Sequence, residues 1–192
     1  MNLQQHHRDV TSNALTIPLE LSALSEPSFL LPCENRQEFE IIRSTMIEEV
    51  RPRSNIEWLW TLDLVELSWE ILRYRRMKQR ALHEHRPAAI KAILLRLDGA
   101  GIPAADFVHL AVQSGRSAEE WRQDPDAALE IEARLRRHGF NETSIDAELF
   151  CQAGGAFGTF DALLQRAQDR RIRLLREINA RRAFSKRLAN AS

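Results

Sequence analysis

The amino-acid sequence predicts an all-α protein, and its composition is the first reason. Only seven glycines and seven prolines interrupt 192 residues, and runs of β-branched and aromatic residues at a period of two are absent from the sequence. Hydrophobic residues make up 44% of the chain and charged residues 28%, which is the balance of a globular protein with a buried core. The second reason is that apolar residues recur at helical spacing beside residues that cap helices.

The first predicted helix covers residues 36–50. Asn35 is suited to cap its N-terminus, and Glu38 stands where it can complete a capping box. Pro52 ends this helix because proline disfavours helical geometry in the residue before it. The short connection to the next helix predicts an antiparallel hairpin.

The second predicted helix, residues 55–80, is the centre of the fold. Ser54 and Glu57 form its capping box. At about 100° per residue its apolar side chains fall on two opposed sides. One side carries Trp58, Leu62, Val65, Trp69 and Leu72, and the other carries Trp60, Leu64, Leu67, Ile71 and Tyr74. Such a helix must be covered on both sides, so it is either the central helix of the domain or shared with a second copy across a dimer interface.

Shorter helices and then a long basic one follow. Pro87 is expected to separate the central helix from the next, and Gly115 to end a later helix. Gly154, Gly155 and Gly158 are expected to form a flexible turn. The helices expected after the central one cover residues 88–97, 103–114, 125–137, 143–152 and 159–184.

The expected organisation therefore has three parts. Residues 1–32 form a weakly ordered lead-in, residues 33–158 form a helical domain, and residues 159–192 form a long basic C-terminal helix that packs on the domain. The predicted fold is a helical hairpin around a central Trp-rich helix, packed with short helices and this C-terminal helix.

The net charge is zero, but the charges lie in blocks. Residues 73–86 carry six basic side chains against one acid, and residues 166–187 carry nine against two. Residues 117–132 carry six acids against one arginine. The blocks either neutralise one another inside the protein or form separate surfaces for an anionic and a cationic partner. Internal pairing and solvation are the more common outcome for such runs.

Cys33 and Cys151 match neither a metal-binding nor a redox spacing, which favours reduced thiols in a cytoplasmic protein. The sequence has no apolar stretch near the roughly 20 residues that cross a bilayer, and its N-terminus lacks the pattern of a secretory signal. We therefore expect a soluble cytoplasmic protein that does not contact membranes.

Several short segments of the sequence follow one another in an order that is also seen in other proteins. They are Leu31–Asn35, Glu38–Glu40, Trp69 with Leu72–Arg76, and a closing arginine-rich helix that includes Arg170-Arg171 and Leu174–Ile178. This order resembles a group of uncharacterised bacterial proteins with an LPGED-x-x-EFE segment and a later W-x-x-LRR helix. Ser12-Asn13-Ala14-Leu15 is similar to the end of that group's NALKHGL segment, whereas Cys33 replaces its glycine and Asn35 its aspartate. The resemblance implies a helical fold and a bacterial origin, for which a mobile-element or phage setting is one context, and it implies no chemistry.

Two patterns suggest specific binding sites, and each has a plainer explanation. Residues 106–123 are spaced acceptably for a helix-turn-helix, but Glu119 and Glu120 would face the negatively charged groove, which favours an ordinary helical corner. His83 and His85 point away from each other on a helix and form a poor metal chelate.

Two further patterns suggest catalysis. Cys151 lies beside a glycine-rich segment and could be an activated thiol, although burial is the commoner role for such a cysteine. Glu66 and Glu70 share a face of the central helix, where pairing with Arg73 is favoured over acid–base chemistry. We therefore expect a protein without catalytic residues, metal or cofactor.

The sequence predicts a non-catalytic interaction or assembly protein that binds itself or a protein partner, with Trp58, Trp60 and Trp69 at the interface. The alternative is a nucleic-acid-associated accessory protein that binds the phosphate backbone through the basic helices 73–86 and 166–187. The residues predicted for that contact are Arg73, Arg75, Arg76, Lys78, Arg170, Arg171, Arg173 and Arg176.

Overall fold

The computed structural model describes residues 16–27 and 29–191, and every regular element in that part of the chain is a helix, which confirms the all-α fold. Residues 1–15 of the predicted lead-in, including the segment Ser12–Leu15, lie outside the described residues. The described lead-in contains a 3-10 helix, Leu19–Ser25. The α-helices are α1 (Arg36–Val50), α2 (Asn55–Asp98), α3 (Phe107–Gln123), α4 (Pro125–Arg137) and α5 (Glu142–Ala191).

The helix α1 has the bounds that its sequence predicts. The side chain of Asn35 accepts the backbone N–H of Gln37 at 2.8 Å, which satisfies one of the free amides of the first turn. At the other end Arg51 adopts a left-handed conformation, φ 48°, and its N–H donates to the carbonyl of Ile47 at 2.9 Å. The chain then enters Pro52, which cannot extend the helix.

The helix α2 begins at the predicted residue. The hydroxyl of Ser54 accepts the N–H of Glu57 at 3.3 Å, and the carboxylate of Glu57 accepts the N–H of Arg53 at 2.9 Å. The capping box therefore closes on the residue before the N-cap.

The predicted end of this helix near residue 80 is wrong, because α2 runs for 44 residues and passes through Pro87. A proline in a helix interior costs about 3 kcal/mol. The residues that follow it, Ala89, Ile90 and Ile93, are buried. Each large apolar side chain gains about 1.5–3 kcal/mol from burial, which offsets the lost hydrogen bond.

The predicted turn at Gly115 is also wrong, because α3 is continuous from Phe107 to Gln123. An interior glycine costs a helix only about 1 kcal/mol, and the buried residues Leu110 and Ala118 on either side hold α3 against the core. A helix-turn-helix over residues 106–123 is therefore excluded.

The helix α4 follows its local signals. The side chain of Asp124 caps it by accepting the N–H of Asp126 at 2.9 Å, and Pro125 occupies the first turn. At its end Gly139 has φ 85°, and the N–H of Phe140 donates to the carbonyl of Leu135 at 3.0 Å. This is the Schellman arrangement that a glycine followed by an apolar residue predicts.

The helix α5 extends over 50 residues and includes the three glycines for which the sequence predicts a turn, so that prediction is wrong. Gly154, Gly155 and Gly158 face open space on one side. The other side of the same turns carries the buried residues Ala153 and Phe157, whose packing offsets the helical cost of the glycines.

The described residues form two compact units. The residues up to Ile71 together with those from Ala167 form the first unit, and Leu72–Arg166 forms the second. Both α2 and α5 contribute a segment to each unit.

In the first unit α2 is covered on two sides by its own chain. Trp58 packs with Leu21 and Ile47, and Leu64 packs with Val50 and Ile178. The predicted hairpin around a central helix is therefore confirmed, and the second cover comes from α5.

The second unit has a core cluster to which α2, α3, α4 and α5 all contribute. Its buried members are Ile90, Ile93, Leu94, Ala118, Leu135 and Ile145.

Candidate nucleic-acid interface

The three tryptophans predicted at a protein interface lie in or beside the core of the first unit. Trp58 and Trp69 are only 5% and 1% exposed. The Trp69 ring meets the Phe39 ring edge-on at a centroid distance of 5.7 Å, and its Nε1–H donates to Glu34 at 3.1 Å. Trp60 is half-buried at the edge of a core cluster. A buried ring cannot contact another molecule while the chain stays folded, so Trp58 and Trp69 stabilise the core instead.

The first basic block, residues 73–86, lies on α2 in the second unit, and much of its charge is paired within that unit. Lys78 Nζ lies 2.5 Å from Asp161 on α5. Arg86 forms salt bridges with Glu142 and, at 3.4 Å, with Asp146. This pairing leaves little of the block for an external anion.

The remaining predicted residues of that block are Arg73, Arg75 and Arg76, and only some of them already have interactions within the described part of the protein. Arg73 and Arg76 have interactions of their own and are not free. Arg75 is exposed. The block therefore offers no continuous row of free cations.

The second basic block, apart from Arg166, lies on the part of α5 that belongs to the first unit. One narrow stripe of this segment faces inward, formed by the buried residues Ala167 and Ile178 with the half-buried Arg171, Leu174 and Arg182. Nearly all other side chains of residues 169–190 are exposed. This pattern is a helix that packs along a single seam.

Arg182 is a cation of this block that forms a salt bridge and hydrogen bonds within the first unit. Its guanidinium donates to both carboxylate oxygens of Glu57, at 3.3 and 2.9 Å, and to the carbonyls of Val50 at 2.7 Å and Arg51 at 3.1 Å. Glu57 is only 4% exposed, and the hydrogen bond from Arg182 lowers the pKa of its carboxyl group. Arg182 thus fastens α5 to the corner between α1 and α2.

Arg170 lies near a second carboxyl group of α2. Burial raises the pKa of Asp63, and the positive charge of Arg170 opposes that rise. Arg170 is therefore engaged electrostatically within its own unit.

Several arginines on α5 are exposed and without a partner among the described residues, and three of those in the first unit share one side of the helix. These three are Arg173, Arg176 and Arg187, and helical geometry puts them on the side opposite the inward stripe. We call this set the outward arginine face. From Arg173 to Arg187 the helix rises about 21 Å. Over that length one strand of a DNA duplex presents about six phosphates.

The other candidates for chemistry do not assemble into a site. Cys33 and Cys151 are exposed thiols that are not joined to each other. Within residues 16–27 and 29–191, no group of three histidine, cysteine or carboxylate side chains is arranged to hold a metal ion. None of the described helices is long and apolar enough to cross a membrane.

The sequence predicts contacts by Arg173 and Arg176 and includes Arg187 in the same basic helix, but it does not separate these three from the arginines that the fold engages. It has no means of identifying the Arg182–Glu57 pair, whose members are separated by 125 positions. No protein-family model, curated protein or solved structure matches this chain.

Proposed function

We propose that this chain is a non-catalytic, cytoplasmic accessory protein that binds the phosphate backbone of nucleic acid through the outward arginine face. The observation that carries this proposal is the difference between the two basic blocks. Much of the first is paired with acids of its own unit, whereas Arg173, Arg176 and Arg187 are exposed and have no partner among the described residues. Unpaired guanidinium groups on one side of a helix are suited to phosphate oxygens.

The chemistry supports binding without sequence preference. Arginine contacts to phosphates release condensed counterions, and this gain does not depend on the base sequence. Non-specific complexes of this kind have Kd values of about 10⁻⁴ to 10⁻⁶ M at physiological salt. We therefore expect duplex DNA of any sequence to bind with similar affinity.

The test is charge reversal of the outward arginine face. The triple substitution Arg173→Glu, Arg176→Glu and Arg187→Glu should weaken binding to a fluorescent DNA duplex at low salt by at least about 100-fold, because three phosphate contacts become repulsive. Fluorescence anisotropy measures the affinity, and far-UV circular dichroism checks that the variant remains helical.

A matched control changes the net charge by the same amount elsewhere. Arg80, Arg116 and Arg136 are exposed in the second unit and have no partner among the described residues. Replacing these three by glutamate should leave most of the affinity intact. Equal losses in the two triple variants would show that only overall charge matters, and the proposal would fail.

A second candidate function, self-assembly, is favoured by an apolar patch at the start of α3. Phe107, Val108 and Val112 are 48%, 71% and 58% exposed and lie within two turns of one helix. Contiguous exposed apolar residues mark interaction surfaces more often than scattered ones do. This candidate retains the assembly role predicted from the sequence but moves it away from the buried tryptophans.

Light scattering tests this candidate. If a second copy covers the patch, the parent protein is a dimer, and the double substitution Val108→Lys and Val112→Lys shifts it to a monomer because charge cannot be buried there without a partner. Leu129→Lys, at a 62% exposed position on α4, is the control and should not change the mass. A parent that stays monomeric at all concentrations removes this candidate.

A further inference from the structure

A cleft of about 770 Å³ lies in the first unit, between the start of α2 and the last turns of α5. Its volume falls within the range of sites that hold small molecules. The lining residues are Arg53, Ser54, Glu57, Arg181, Arg182, Ala183, Ser185 and Lys186. Seven of the eight lining residues are polar or charged and none is aromatic, so charge and hydrogen bonds are the main means of recognition here.

The cleft carries a surplus of positive charge. It contains four cations and one carboxylate, and that carboxylate, Glu57, is already bound at both oxygens by Arg182. The side chains of Arg53, Arg181 and Lys186 form no hydrogen bond or salt bridge with any described residue. Three cations in one concave site repel one another, and a bound anion would relieve that repulsion.

We infer that this cleft binds a phosphate group carried as a monoester or diphosphate. A ligand with two or three negative charges balances the three cations that form no salt bridge, although Arg53 is also attracted to the nearby Glu57 carboxylate. Arg53 and Arg181 can each donate two hydrogen bonds to phosphate oxygens. The hydroxyls of Ser54 and Ser185 add donors at the wall. The same chemistry is offered by a free phosphorylated metabolite and by the phosphorylated 5′ end of a nucleic-acid strand.

This site uses none of the residues of the outward arginine face, so it goes beyond the proposed function and can fail or succeed separately. Its test is isothermal titration calorimetry of the 192-residue chain with pyrophosphate. The double substitution Arg53→Gln and Lys186→Gln should weaken pyrophosphate binding at least tenfold. Both side chains are exposed, so the fold should persist, and the thermal melt checks this.

A control and a further variant make the result decisive. Arg136→Gln removes an exposed cation of the second unit that does not line the cleft and should leave pyrophosphate affinity unchanged. Arg181→Gln should weaken it, as the double variant does. The inference is overturned if the parent does not bind pyrophosphate, or if Arg136→Gln weakens binding as much as the double variant.

Oligothymidines with a 5′ phosphate or a 5′ hydroxyl distinguish the two sources of phosphate. A preference for the phosphorylated strand that disappears in the double variant assigns the cleft to strand ends. Equal affinity for the two strands, with pyrophosphate still bound, assigns it to a free phosphorylated ligand. The double variant should keep its duplex affinity if the outward arginine face binds DNA independently.

Discussion

Arg182 shows how much the role of a charged residue depends on its position on a helix. It belongs to the same basic block as Arg173 and Arg176, yet its guanidinium donates hydrogen bonds to Glu57 and to two carbonyl groups at the end of α1. Those carbonyls are among the free acceptors that every helix end leaves. Arg182 therefore stabilises the corner of the first unit and does not contribute to a free basic surface.

We predict that this ion pair makes stability depend on pH. The folded protein lowers the pKa of Glu57, chiefly through the Arg182 hydrogen bond. A lowered pKa contributes stability above the pKa of the unfolded chain, and that contribution is lost as the pH falls below about 4. Urea denaturation followed by circular dichroism at several pH values should show the loss in the parent.

Substitutions at either end of the pair check this prediction. Glu57→Gln should lower the free energy of unfolding at neutral pH and flatten its decline in acid. Arg182→Ala should cost about 3 kcal/mol at neutral pH, because it leaves a carboxylate buried without its cation. An Arg182→Ala variant as stable as the parent would contradict the role assigned here.

At the scale of single residues, local signals were readable from the sequence and distant ones were not. Asn35, Asp124 and Gly139 act within a few residues of the helix ends that they define, so their roles could be predicted. The partner of Glu57 lies on another helix, and no spacing rule connects the two.

At the scale of helices, the main difference from the sequence prediction is length. The sequence predicts that proline divides α2 and that glycine divides α5, because both residues weaken an isolated helix. In the folded chain each of these residues is flanked by buried side chains of the same helix, such as Ile90 beyond Pro87 and Phe157 beside Gly158. Tertiary packing outweighs the low helix propensity of proline and glycine. A short stretch of sequence does not reveal this packing, because the contacts come from other parts of the chain.

We predict that the three glycines of α5 can be replaced with a gain in stability. An added Cβ at Gly154, Gly155 or Gly158 meets no atom within 4 Å. Substitution by alanine should therefore raise the free energy of unfolding by about 0.5–1 kcal/mol at each position, because the unfolded chain loses freedom while the helix gains propensity. Urea denaturation of the single variants measures this gain.

Gly139→Ala is the matched control for this series. Gly139 has φ 85°, a left-handed conformation that strains any residue with a Cβ, so this variant should lose about 1 kcal/mol. Destabilisation by all three α5 substitutions would mean that the segment is not an uninterrupted helix.

At the scale of the whole chain, a net charge of zero hides two different basic segments. The sequence predicted both blocks and the fold class, but it could not decide which block is neutralised. That decision depends on contacts such as Lys78 with Asp161, which are 83 positions apart. Only folding reveals that the arginines of α5 on the outward side lack such partners.

The salt dependence of DNA binding tests the central claim most directly. The slope of log K against log salt concentration counts the phosphates neutralised by the protein, at about 0.9 for each contact on duplex DNA. If Arg173, Arg176 and Arg187 make these contacts, replacing all three by glutamine should reduce the slope by about 2 to 3. A parent that does not bind duplex DNA at low salt, or a variant with an unchanged slope, would contradict the account.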